Sequence, residues 1–79
     1  MHIVIVEDDV IIRQELKLLL ENALYQVTAL CEFGDVASAL LSMNPDLVLL
    51  DLNLPNESGF NICTKIRAKS EVPVIFVTS

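Results

Sequence analysis

Short runs of consecutive apolar residues most constrain what this chain can fold into. Three such runs each end on a polar residue: 3–6 before Glu7, 47–50 before Asp51, and 74–77 before Thr78. Apolar runs of this length, without alternation, are typical of strands buried on both faces of a parallel sheet. Segments with helical spacing separate them. The alternation of strand and helix predicts an α/β fold with an open parallel sheet.

The helical segments can be placed from their apolar spacing and their end signals. Ile12, Leu16, Leu19 and Leu20 form the stripe of a first helix that should face the sheet. Parallel crossovers are nearly always right-handed, so helices are expected on both faces. The predicted elements are strand 2–6, helix 9–23, strand 26–31, helix 35–43, strand 46–50, a helix around residues 62–66, and strand 74–77.

Composition excludes several classes of partner. The net charge is −6 and the isoelectric point about 4.4, which disfavours naked nucleic acid and anionic membranes. No apolar run approaches the roughly 20 residues of a membrane helix, and no basic segment leads into an apolar stretch as in a signal peptide. Cys31 and Cys63 lack ligand spacing, so we expect buried, reduced thiols and a cytoplasmic protein.

Two of the predicted strands end on acidic residues, which should bring carboxylates together. The first strand is followed by Glu7 and Asp8, and the third by Asp51. The carboxyl ends of parallel strands share the sheet edge at which open α/β sheets bind ligands. Crowded carboxylates repel each other unless a divalent cation lies between them, and Mg²⁺ prefers oxygen ligands. We therefore predict a Mg²⁺ site in which ionised Asp51 attacks a phosphoryl group.

Two other features of this edge have alternative interpretations. The acids could serve only as helix caps, and for Asp9 we prefer that interpretation. Thr78 and Ser79 follow an apolar strand directly, so a hydroxyl should reach the same edge and hydrogen-bond a phosphoryl oxygen. The alternative for these hydroxyls is an ordinary polar end of a strand.

The motifs together resemble the receiver domain of bacterial two-component response regulators. The resemblance spans the chain and rests on Ile5-Val6-Glu7-Asp8-Asp9, Asp51-Leu52-Asn53-Leu54-Pro55 through Gly59, and Pro73-Val74-Ile75-Phe76-Val77-Thr78. It implies a flavodoxin-like sheet of strand order 2-1-3-4-5. It also implies a signalling domain without turnover of an external substrate, which receives a phosphoryl group from a sensor histidine kinase.

The resemblance assigns roles to individual residues. It implies that Asp51 is the phosphoacceptor and Thr78 the switch hydroxyl. Mg²⁺ would be bound by Asp51, by Asp8 directly, by Glu7 through water, and by the backbone carbonyl of Asn53. Pro55 and Gly59 would shape the loop beside the site, a role that their backbone preferences also support.

The chain departs from the family pattern after the fourth predicted strand. The fifth strand, its lysine and its aromatic switch residue are not present in the 79 residues, nor is an effector domain. We therefore expect residues 1–79 to be a partial receiver domain with sheet order 2-1-3-4 and impaired phosphorylation. The parent protein is expected to be a DNA-binding transcriptional regulator. Since 53% of the residues are hydrophobic, we also expect self-association, through the exposed edge of the fourth strand or by exchange of elements.

Two further interpretations come from other functional classes. Haloacid-dehalogenase-like phosphatases also use an aspartate at a strand end with Mg²⁺, but they need a second acid where this chain has Asn53. A module that binds a cation without chemistry is the other alternative. Binding of Mg²⁺ without phosphoryl acceptance would favour that module, whereas turnover of a generic phosphate ester would favour the phosphatase.

Overall fold

The chain alternates strictly between strands and helices. The structure, a computed structural model, describes residues 1–77. Its elements are β1 (His2–Val6), α1 (Val10–Asn22), β2 (Gln26–Ala29), α2 (Val36–Met43), β3 (Leu47–Asp51), α3 (Gly59–Arg67) and β4 (Val74–Val77). Every predicted element is present. The largest differences are that β2 ends two residues earlier than predicted and that α3 begins at Gly59, before the segment predicted around residues 62–66. No helix in residues 1–77 is both long and apolar enough to cross a bilayer.

The sheet has four parallel strands in the order β2-β1-β3-β4, as predicted. β1 and β3 are the two central strands. Their register places Val6 beside Leu50, and that of the β3–β4 pair places Asp51 beside Val77. The residues that follow β1 therefore emerge next to the last residue of β3.

The main core lies between the sheet and the helices α2 and α3. Side chains of the central strands, such as Val4 and Leu50, pack there against Leu40 of α2 and Ile62 and Ile66 of α3. Burial of one such side chain contributes about 1.5–3 kcal/mol. Ile3 and Ile5 are also buried but do not belong to this cluster, since they point to the opposite face, which α1 covers. Helices on both faces of the sheet are thus confirmed.

Helix α1 contradicts one prediction. Leu19 was expected on the stripe that faces the sheet, but it is 66% exposed, and α1 has no fully buried residue. The reason is the position of the helix. α1 packs mainly against β2 and β1 at one side of the sheet. Its half-buried side is therefore centred on Leu16 and Leu20, and the side that bears Leu19 is left uncovered.

A second correction concerns the cysteines. Both are free thiols, but Cys31 is exposed and Cys63 is half-buried, so the prediction of two buried thiols is wrong. β2 ends at Ala29, earlier than predicted, and it is an edge strand. Cys31 consequently lies in the following loop rather than in the sheet, where neighbouring strands would have covered it.

Candidate metal and phosphoacceptor site

The acidic residues after β1 and at the end of β3 meet at one edge of the sheet. Glu7, Asp8 and Asp51 each offer one carboxylate oxygen, and these oxygens all lie within 4.8 Å of one another. The parallel β1–β3 register brings them together, because it aligns the last residues of the two strands. An ion that binds at this edge can contact all three carboxylates.

The three carboxylates differ in their exposure to solvent. Glu7 and Asp51 are each 1% exposed, whereas Asp8 is exposed. Glu7 Oε2 accepts a hydrogen bond of 3.2 Å from Asp9 N, whereas Glu7 Oε1 is buried and has no hydrogen-bond partner among residues 1–77. A buried carboxylate oxygen without a partner carries a free-energy cost of about 1–3 kcal/mol or more. A cation is the kind of partner that would remove this cost.

Burial also sets the protonation of the site. Desolvation and, next, the adjacent carboxyl group of Asp51 raise the pKa of Glu7 from 4.5 to about 7. The hydrogen bond from Asp9 N acts in the opposite direction but is the weaker influence. Near neutral pH the site is therefore prone to hold a proton, and a divalent cation would compete with that proton for the same oxygens.

The donor set suits a hard divalent cation. All three side chains offer oxygen, which Mg²⁺ and Ca²⁺ prefer, and no thiol or imidazole belongs to the cluster. Mg²⁺ keeps several waters and typically binds one or two carboxylates together with phosphate oxygens. Exposed Asp8 faces solvent, so there is an open side for water or a phosphoryl group.

The loop between β3 and α3 forms one wall of the site. Asn53 N donates a hydrogen bond of 3.1 Å to Asp51 Oδ1, which fixes the rotation of that carboxylate. Asn53 also pairs with Ser58 in an isolated antiparallel bridge, and Gly59 N donates to Leu52 O at 2.9 Å. These bonds close the loop, and Asp8 and Asn53 line the groove that it borders.

Three other residues named in the sequence analysis do not belong to the carboxylate cluster of residues 1–77: Asp9, Thr78 and Ser79. Asp9 caps α1, since its Oδ1 accepts hydrogen bonds from the backbone N–H groups of Ile11 and Ile12 at 2.9 and 3.1 Å. The preferred interpretation of Asp9 as a cap is therefore confirmed. The switch hydroxyl predicted at Thr78 and the neighbouring Ser79 lie outside the described residues 1–77.

One residue next to the site was not predicted. Arg13 Nη1 donates hydrogen bonds to the backbone carbonyls of Glu7 and Leu30. The only signal in the sequence is a basic residue four positions after the acidic cluster, on an otherwise apolar first turn of the helix. Such a signal does not reveal that the partner is a backbone carbonyl.

The chain belongs to the response regulator receiver domain family, whose model matches residues 3–79. Receivers are signalling domains of two-component systems, which in general interact with sensor histidine kinases and bind Mg²⁺ at an acidic pocket. The acidic cluster of this chain is a group of that kind. The phosphatase interpretation receives no support from this match.

Individual relatives agree with the family assignment. The chain is 43% identical over 79 residues to the response regulator protein GraR of Staphylococcus aureus, and the match covers 100% of this chain and 35% of GraR. The chain thus spans about a third of the length of the curated relatives that it matches.

Solved structures agree as well. The BeF3-activated N-terminal receiver domain of RstA from Klebsiella pneumoniae superposes with a TM-score of 0.91 at 29% identity, over 100% of this chain and 68% of that one. The N-terminal domain of the nisin resistance regulator NsrR, described as a lantibiotic response regulator, gives 0.87 at 37% identity, over 99% of this chain and 66% of that one.

Proposed function

We propose that Asp51 accepts a phosphoryl group from a sensor histidine kinase, with Mg²⁺ held by Glu7, Asp8, Asp51 and the backbone carbonyl of Asn53. The observation that carries this proposal is the convergence of three carboxylates within 4.8 Å around a buried, unpartnered Glu7 oxygen. When bound, Mg²⁺ supplies positive charge that neutralises the transferred phosphoryl group.

The chain's own residues prepare Asp51 for the transfer. The hydrogen bond from Asn53 N orients the Asp51 carboxylate, and burial removes the water that would otherwise compete for it. A carboxylate oxygen of Asp51 forms the new bond to phosphorus while the phosphorus–nitrogen bond of the donor phosphohistidine breaks. The leaving imidazole keeps that electron pair and takes up a proton. Thr78 is proposed as the hydroxyl that then hydrogen-bonds the phosphoryl group.

The wider role follows from the family. Residues 1–79 are proposed to be a partial receiver domain of a cytoplasmic regulator that passes the signal to a DNA-binding domain and so controls transcription. The identity of 43% with GraR, a response regulator protein of which this chain covers 35%, supports the part of the proposal that makes residues 1–79 a segment of a response regulator. The net charge of −6 is consistent with a receiver segment that does not itself contact nucleic acid.

Intact-mass spectrometry after incubation with acetyl phosphate and Mg²⁺ tests the acceptor. We expect a mass increase of one phosphoryl group that is lost in Asp51→Asn and on chelation of Mg²⁺. The increase should be slow, since the family's fifth-strand lysine is not among these 79 residues. Asp9→Asn is the matched control, because it removes a neighbouring charge yet keeps a side chain that caps α1.

Three results would contradict phosphoryl acceptance by Asp51 or favour one of the alternative functions. A mass increase that persists in Asp51→Asn would place the acceptor elsewhere. Binding of Mg²⁺ without any increase would favour a cation-binding module without chemistry. Turnover of a generic phosphate ester by the parent, lost in Asp51→Asn, would instead support the phosphatase interpretation.

We also propose that two copies associate through the edge of β4. This strand pairs with β3 on one side only among residues 1–77, and Ile75 is 53% exposed. The rings of Phe76 and Phe60 pack in a tilted arrangement with their centroids 5.0 Å apart. Phe60 is 62% exposed, so the apolar surface continues onto α3. A second copy would cover the same surface on each protomer, whereas the charge of −6 opposes association at low salt.

Sedimentation velocity at tens of micromolar tests this association. We expect a dimer whose fraction rises with salt and falls in Ile75→Lys, which places a charge on the edge strand. Leu24→Lys is the control, since Leu24 is exposed in the turn before β2, on the opposite edge of the sheet. A monomer at every salt concentration would refute the proposal, and a dimer that is insensitive to Ile75→Lys would favour exchange of elements.

A further inference from the structure

Arg13 links the ends of two neighbouring strands beside the acidic cluster. Its Nη1 donates hydrogen bonds to Glu7 O at 3.1 Å and to Leu30 O at 3.4 Å. The last register pair between β1 and β2 is Ile5 with Ala29, so Arg13 acts where the strand ladder has ended. The side chain is half-buried and reaches these carbonyls from the start of α1.

The charge of Arg13 is not used in an ion pair. Between residues 1 and 77 the ion pairs are Lys17 with Glu21 and Lys65 with Glu57. The guanidinium of Arg13 instead donates to the backbone carbonyls of Glu7 and Leu30. Arginine keeps its charge at any ordinary pH, so these charge-assisted hydrogen bonds do not depend on titration.

The carbonyl that Arg13 holds belongs to the peptide between two residues of the acidic cluster. The orientation of that peptide is set by ψ of Glu7 and φ of Asp8, the two torsions that also set the directions of the Glu7 and Asp8 side chains relative to each other. The other end of the segment is held by Asp9, whose N–H binds Glu7 Oε2 and whose side chain caps α1. Among residues 1–77, Arg13 thus supplies the hydrogen bond that holds this short acidic segment on its carbonyl side.

We propose that Arg13 is a positioning residue that keeps the Glu7 and Asp8 carboxylates oriented for a divalent cation. This inference rests on the proposed Mg²⁺ site. Partners that orient metal ligands typically change metal affinity 10- to 100-fold, an order of magnitude that we expect for Arg13 as well. Whether Mg²⁺ affinity falls or rises when Arg13 is replaced distinguishes positioning from simple charge repulsion, because the two predict opposite changes in affinity.

Removal of a nearby positive charge should strengthen cation binding if only electrostatics matters. Loss of the two hydrogen bonds should weaken it if positioning matters. Arg13→Met removes the donors and the charge but keeps an unbranched side chain. We expect its dissociation constant for Mg²⁺, measured by isothermal titration calorimetry, to rise about 10-fold or more. Arg13→Lys keeps the charge and one donor group, so we expect a smaller loss.

Arg67→Met is the matched control. Arg67 Nη1 also donates to a backbone carbonyl, that of Ser70 at 2.9 Å, but it lies at the C-terminal end of α3. Arg67→Met removes one positive charge, as Arg13→Met does, but leaves the contacts of the acidic cluster unchanged. We therefore expect Arg67→Met to bind Mg²⁺ with the same affinity as the parent. Amide NMR shifts of residues 7–9 in chelator give a second readout, and they should move in Arg13→Met only.

The outcomes separate this inference from the proposed function. Absence of Mg²⁺ binding by the parent chain would refute the metal site itself. Binding by the parent, with equal or tighter binding by Arg13→Met, would overturn the role of Arg13 alone. If Arg13→Met does not fold, as judged by circular dichroism, Arg13→Gln, which loses the charge and has a shorter side chain, decides the question. An affinity of Arg13→Gln for Mg²⁺ equal to or tighter than that of the parent would overturn the inference.

Discussion

A side chain at Gly59 should destabilise the fold, although this residue begins α3 and alanine is intrinsically favoured over glycine in helices. A Cβ atom at this position would lie 2.3 Å from Asp51 O and 3.0 Å from both Asp51 C and Leu52 Cα. All three are backbone atoms, so no side-chain rotation relieves the overlap. The backbone of α3 and that of β3 would have to separate by roughly 1 Å to restore ordinary contact.

The size of the effect can be estimated from opposing contributions. Overpacking of this kind costs about 1–3 kcal/mol. Replacement of glycine by alanine in a helix stabilises by at most about 1 kcal/mol, and Gly59 has no positive φ that alanine would find strained. We expect Gly59→Ala to lower the free energy of unfolding by about 1–2 kcal/mol. For a domain of this size, that corresponds to a fall in Tm of roughly 5–15 °C.

Thermal unfolding followed by circular dichroism in chelator measures this change. Gly34→Ala is the matched control, because a Cβ atom there meets nothing within 4 Å, and its Tm should be unchanged or slightly higher. Since the displaced atom belongs to Asp51, Gly59→Ala should also weaken Mg²⁺ binding in calorimetry. A Tm for Gly59→Ala at or above that of the parent would show that helix propensity outweighs the close approach of the two backbones.

Three further predictions concern charge, capping and packing. In chelator, the free energy of unfolding should fall by up to roughly 3 kcal/mol as the pH rises from about 4.5 to about 7, because the raised pKa of Glu7 means that the folded state prefers the protonated carboxyl. Urea titrations of Glu7→Gln at the same pH values should lack this fall. The same dependence of unfolding free energy on pH in both proteins would contradict the prediction. Asp9→Ala should cost about 1 kcal/mol through loss of the α1 cap, measurable in the same titrations, whereas Asp9→Asn should retain most of the stability. Ile62→Ala in the main core should cost about 2–5 kcal/mol, and a loss below 1 kcal/mol would show that the site relaxes around the cavity.

Glu7 and Asp8 are neighbours in the acidic cluster, but Glu7 is buried and Asp8 is exposed to solvent. Successive residues at a strand end point in opposite directions, so adjacent acids meet different environments. The buried acid has the raised pKa and the unpartnered oxygen, while the exposed one faces solvent and the loop groove. A cation bound between them would therefore contact both the interior and the open side of the site.

The strands and the meeting of their acidic ends follow from the amino-acid pattern alone. Apolar runs of four or five residues do not suit a solvated strand, and parallel strands must present their carboxyl ends at one edge. That local pattern was enough to predict the order of elements, the helices on both faces, and the convergence of Glu7, Asp8 and Asp51. The cap formed by Asp9 was predictable for the same reason, since a cap depends on the few residues that follow it.

Tertiary structure decided the features that depend on where one element lies against another. Periodicity gives the apolar side of α1, but its displacement towards β2 exposes Leu19 and carries Arg13 to the carbonyl of Glu7. The lack of room for a Cβ atom at Gly59 and the burial of Glu7 Oε1 likewise arise from packing between β1, β3 and α3. Side-chain periodicity is a property of a single segment, whereas these distances are set by how several segments pack together.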